Sequence, residues 1–117
     1  VCQAGGREET SGNVRVISVD RLHTMLENKD FTLVNVHVPY EGEIPQTDLF
    51  IPYDEITGHL DKLPPKDEKI VLYCRSDRMS GIAARELADA GYTDLYDVKG
   101  GMEEWKAAGY RLLQGSP

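Results

Sequence analysis

Residues 72–81, LYCRSDRMSG, set one cysteine, Cys74, at the end of an apolar run and follow it with Arg75, Ser76, Asp77, Arg78, Met79 and Ser80. A thiol in that setting has two readings. It is a buried structural hydrophobe, as most free cysteines are, or it is a nucleophile in an anion-binding loop. The polar residues that follow it directly and open a helical pattern tilt the balance to the nucleophile. A helix beginning near Ser80 leaves its first backbone N–H groups unpaired and aimed back at the loop. With Arg75 and Arg78 beside them, those groups favour an anion, and so the thiolate that attacks as nucleophile. Asp77 opposes that field.

The elements that must hold such a loop can be read from pattern. KIVLYC (69–74) is apolar on both faces, which predicts a central strand of a parallel sheet. SGIAARELADAG (80–91) reads as a helix with Ile82, Ala83, Leu87 and Ala90 on one face and Gly91 as its stop. Upstream, VRVIS (14–18) reads as a strand, and Ser18 caps a helix carrying Leu22, Met25 and Leu26. FTLVNV (31–36) is another strand, ended by a long irregular loop, and LFIPY (49–53) is a short one. YDEITGHLDKL is a broken helical segment stopped by Pro64 and Pro65. TDLYDVKGG (93–101) gives a last strand and MEEWKAAGY (102–110) a last helix, with Gly109 just past its end. Strands alternating with helices predict an α/β domain with a central, mostly parallel sheet flanked by helices. Ligands of such sheets bind at the carboxyl ends of the strands, where Cys74 lies.

The chain of 117 residues is the size of one domain, and its formal net charge of −7 argues against non-specific nucleic-acid binding. Two cysteines in unlike contexts make no disulfide framework, and three scattered histidines have no metal-ligand spacing. Neither a metal nor a cofactor is expected. The domain is read as residues 14–112, between a polar N-terminal tether (1–13) and a short C-terminal tail (113–117). Cys2, at the head of the tether, resembles the start of a mature lipoprotein, which would make the protein lipid-anchored and extracytoplasmic. The alternative is an incidental thiol on a cytoplasmic protein.

Three blocks resemble the single-domain rhodaneses, a sulfurtransferase family. They are ISVDRLHTML, LVNVHVPYEGEIPQTDLFIPYDEI (33–56) and IVLYCRSDRMSGIAARELADAGYTDLYDVKGGMEEWKAAGY (70–110), and together they span roughly residues 14–112. The resemblance implies a rhodanese-like fold; a monomer is expected. It implies that Cys74 accepts a sulfane sulfur from thiosulfate or a persulfide or polysulfide donor, and hands it to a thiol or cyanide. Residues Arg75, Ser76, Asp77, Arg78, Met79 and Ser80 would form the substrate cradle. The family pattern carries glycine three places and arginine five places after the cysteine, where this chain has Asp77 and Met79. Asn35 and His37 replace a usual acidic–arginine pair. Cysteine phosphatases place arginine six residues after the cysteine, where this chain has Ser80, so phosphatase or arsenate reductase activity ranks below sulfur transfer. A non-catalytic binding module of the same fold is the other alternative. Trp105 is expected in the core, and His23 and His59 in solvent. His37 is expected to be a hydrogen-bonded loop residue, and Glu41, Glu43 and Asp48 a solvated acidic loop.

Overall fold

The computed structural model of the chain describes residues 9–11, 14–76 and 78–114. Their centre is a six-stranded sheet. Its strands are β1 (Glu9–Ser11), β2 (Val14–Ile17), β3 (Thr32–Asn35), β4 (Leu49–Phe50), β5 (Ile70–Tyr73) and β6 (Leu95–Val98). Their spatial order is β1-β2-β6-β5-β3-β4; β1 runs antiparallel to β2 and every other neighbouring pair is parallel. Helices α1 (Val19–Met25), α2 (Arg78–Asp89) and α3 (Gly101–Ala107) cover the faces. The α/β architecture is thus the expected one.

β5 is internal, flanked by β6 and β3, and all four of its residues are buried. Because strand side chains alternate, it feeds two cores. Ile70, Leu72 and Cys74 join Val34, Val36, Ala83, Ala84 and Leu87 on the α2 side. Val71 and Tyr73 join Leu22, Leu33, Val98, Met102 and Trp105 on the α1/α3 side. Cys74 and Tyr73 therefore point to opposite faces of the sheet. Ser18 caps α1 as expected, its Oγ accepting from Arg21 N at 3.0 Å.

Several expectations need correction. Glu9–Ser11 lies inside the stretch read as tether yet pairs with Val14–Val16 as an edge strand. That pairing is made by backbone groups, so polar side chains do not forbid it. Cys2 lies outside the described residues. The 49–53 strand is cut to two residues, Leu49–Phe50, although Ile51 N and Tyr53 N still donate to Asn35 O and Val36 O at 3.0 and 2.9 Å. The buried face of α2 holds Ala84 rather than Ile82, which is half-buried. Leu113, assigned to the tail, exchanges backbone hydrogen bonds of 2.8 Å with Glu43 in both directions. His23 is not merely solvated, since its ring stacks on Tyr110 at 4.2 Å and 5°. Trp105 is core as expected, 2% exposed, with Nε1 donating to Arg111 O at 2.8 Å.

Candidate active site

The site begins where β5 ends. Cys74 is 1% exposed, and its Sγ donates to Ser80 Oγ at 3.4 Å, a contact between two buried groups. The helix that supplies Ser80 starts at Arg78, two residues earlier than the sequence pattern indicates. Met79 and Ser80 therefore belong to the first turn of α2.

A second helix braces the loop from the other side. Met102 N, at the start of α3, donates to Cys74 O at 2.9 Å, and Glu103 N donates to Arg75 O at 2.9 Å. In a trans peptide the N–H points opposite to the C=O of the same unit. The carbonyls of Cys74 and Arg75 are turned to α3, so the amides of Arg75 and Ser76 point away from it. This approach depends on Gly101, whose φ is +53°. A Cβ there would fall within the van der Waals surface of Cys74 O and lie 2.8 Å from Ser76 O. The Gly-Gly dipeptide, read from sequence only as a turn, is what lets a helix end meet the loop's carbonyls.

Arg75 stands outside the loop. Its Nε lies 3.2 Å from Glu103 Oε2 and an Nη 3.3 Å from Glu41 Oε1, tying α3 and the 37–48 loop to the cysteine loop. The guanidinium holds the Glu41 carboxyl below its ordinary range, and Glu41, ahead of Glu103, raises Arg75 in turn. Glu41 is thus engaged, not free in solvent; Asp48 pairs with Lys29 at 2.6 Å, and Glu43 accepts from Tyr40 Oη. Ser76 and Arg78 are exposed, whereas Met79 is half-buried against the α2-side core. Asp77 lies outside the described residues.

The strand beside β5 buttresses the site. Asn35, 1% exposed, donates from Nδ2 to Gly42 O and accepts from His37 N, both at 3.0 Å. His37 is buried; its Nε2 lies 3.3 Å from Glu41 Oε1 but off the hydrogen-bond axis. It faces Glu41, which in turn pairs with Arg75. Tyr73 anchors the 37–48 loop: its hydroxyl accepts from Ile44 N at 3.0 Å and lies 2.8 Å from Thr47 Oγ1. Burial pushes that phenol above its ordinary value. A cavity of about 340 Å³ adjoins Arg75 and is lined by Glu41, Met102, Glu103, Lys106 and Leu112.

Of the expected cradle, the structure brings Cys74 and Ser80 into contact and turns Arg75 away to two acids. Gly101, Glu41 and Glu103 are the supporting residues that the motif did not reveal.

The Rhodanese-like domain family model matches residues 18–108. The chain belongs to the rhodanese-like domain family, and several of its relatives are named sulfurtransferases. It is 32% identical to a sulfurtransferase of Allochromatium vinosum over 92 residues, covering 76% of this chain and 84% of that protein. It is 30% identical over 111 residues to the adenylyltransferase and sulfurtransferase UBA4 of Meyerozyma guilliermondii; that match covers 82% of this chain but 26% of that protein. Among solved structures, a rhodanese-related protein from Thermoplasma volcanium superposes with a TM-score of 0.72 at 26% identity. That match covers 84% of this chain and 96% of the other.

Proposed function

We propose that the protein is a sulfurtransferase that carries a sulfane sulfur as a persulfide on Cys74. The observation that supports this most is the contact of Cys74 Sγ with Ser80 Oγ, at the carboxyl end of the central strand and in the first turn of α2. A thiolate there attacks the outer sulfur of thiosulfate or of a persulfide or polysulfide donor, and sulfite or a thiolate leaves. A thiol or cyanide acceptor then attacks the bound outer sulfur, and Cys74 departs as thiolate. Ser80 and the loop amides hold the negative sulfur through both steps. The relative's name, sulfurtransferase, agrees with this reaction class.

A second reading, a binding module without turnover, draws on the burial of Cys74 among apolar side chains. A phosphatase would lack its clamp, since Ser80 stands where those enzymes have arginine. Turnover separates the readings. With a sulfane donor and cyanide, the enzyme reading predicts thiocyanate from the wild type and none from Cys74→Ser. Equal thiocyanate from both proteins would overturn it.

A further inference from the structure

A second cavity, of about 430 Å³, lies between α1, the end of α3 and the 37–48 loop. That volume is within the range of small-molecule pockets. Three rings line it. His23 stacks on Tyr110 at 4.2 Å and 5°, and Trp105 tilts against the two at 5.8 and 4.6 Å. Trp105 belongs to the core on the α1/α3 side and Cys74 to the core across the sheet. His23 is exposed and Tyr110 half-buried, so the stack keeps ring surface open to solvent. Tyr110 Oη already donates to Asp20 Oδ1 at 2.6 Å. Buried Leu26 adds an aliphatic wall.

The polar groups of this cavity sit on a pinned backbone. Arg111 is exposed, and its guanidinium forms no ion pair with a described residue. Its main chain is held, because Trp105 Nε1 donates to Arg111 O at 2.8 Å and Tyr110 N to Trp105 O at 3.1 Å. Gln46 forms another wall with a left-handed φ of +72°. That conformation is strained for a residue other than glycine, and such strain collects at ligand clamps. Gln46 Nε2 donates to Leu26 O at 3.3 Å, which fastens the 37–48 loop to the residue that ends α1.

Rings, an aliphatic wall and an unengaged guanidinium select a planar apolar group that carries an anion. Glu27, also in the lining, opposes a second negative charge, so a carboxylate fits better than a phosphate dianion. We propose that this cavity is a second ligand site, for a small aromatic carboxylate. The ligand's ring extends the His23–Tyr110 stack, and its carboxylate pairs with Arg111. The site asks nothing of Cys74 and is independent of sulfur transfer.

Trp105, the chain's single tryptophan, reports on the site because Tyr110 lies against it. The test titrates phenylacetate into the full chain, followed by Trp105 fluorescence and by the amide NMR shifts of Gln46, Tyr110 and Arg111. Saturable binding at about 1 mM is expected, the affinity that ~10 non-hydrogen atoms of ordinary efficiency give. Phenylacetamide, which lacks the charge, should bind about threefold to fivefold more weakly, the scale of an exposed ion pair. Phenyl phosphate should bind no better than phenylacetate. Arg111→Gln should weaken phenylacetate by the same factor and leave phenylacetamide unchanged, whereas His23→Ala should weaken both several-fold. Cys74→Ser should bind as the wild type does. No saturable change in either signal would overturn the proposal. So would phenylacetamide binding as tightly as phenylacetate, phenyl phosphate binding more tightly, or an unaltered affinity in Arg111→Gln. Binding lost in Cys74→Ser would move the ligand to the cysteine loop and overturn it as well.

Discussion

Two helices begin beside the same loop and treat it in opposite ways. The first amides of α3, those of Met102 and Glu103, are spent on the carbonyls of Cys74 and Arg75. The first turn of α2 brings a buried hydroxyl, Ser80 Oγ, to the thiol itself. One helix start is consumed by protein and acts as a brace; the other faces the reactive atom. The same backbone dipoles serve both ends, and what separates them is which part of the loop they meet. Gly101 makes the difference on the α3 side, because only a residue without Cβ allows carbonyls that close.

Substitutions on the two sides should therefore fail differently. Gly101→Ala should have the largest effect: a left-handed φ costs about 1–2 kcal/mol without glycine, and the clash with Cys74 O adds to it. Denaturant melts should show the protein destabilised by at least ~2 kcal/mol, and turnover should be lost although Cys74 and Ser80 are intact. A stable, active Gly101→Ala protein would dissolve the idea of a brace.

Ser80→Ala should do the reverse. Its cost in stability should be about 1 kcal/mol, the ordinary net value of a hydrogen bond. Turnover should fall roughly tenfold or more, because a bond to a charged sulfur is worth about 1.5–3 kcal/mol. Chemical melts and thiocyanate assays on the same preparation measure both. A large loss of stability with turnover preserved would place Ser80 with the brace instead.

The smallest effect concerns the Arg75–Glu41 tie, which acts through water-exposed groups. Glu41 has its carboxyl lowered by Arg75, so its contribution is present above the ordinary value of 4.5 and lost as pH falls through the lowered one. Glu41→Gln should flatten the acid limb of the stability–pH curve below about pH 4.5 by a small amount. It should lower the curve near neutrality by that same small amount and leave it unmoved at pH low enough to protonate the carboxyl. An unchanged acid limb would mean that the tie carries no stability.

The sequence was most legible where burial is strong and local. β5 could be read because its residues are apolar on both faces, and the cap at Ser18 because its signal spans four residues. The cysteine loop was legible for the same reason, with its strand, thiol and helix contiguous in the chain. What stayed hidden depends on partners distant in sequence. Arg75 read as a donor-binding cation because its partners, Glu41 and Glu103, lie 34 and 28 residues away. His23 read as solvated because Tyr110, on which it stacks, arrives from the far end of the chain. β1 was missed because an edge strand is held by backbone hydrogen bonds that side-chain type does not encode. Gly101 was visible as a turn residue, but nothing in its neighbours says that a carbonyl approaches it.

The account stands on Cys74 carrying sulfur, and peptide-level mass analysis asks this directly. Wild-type protein treated with glutathione persulfide, desalted and digested should show one added sulfur atom on the peptide that contains Cys74. A thiol reductant should remove it, and Cys74→Ser should never gain it. Added sulfur on the Cys74→Ser protein, or none at Cys74 after treatment with persulfide, polysulfide and thiosulfate in turn, would contradict the account.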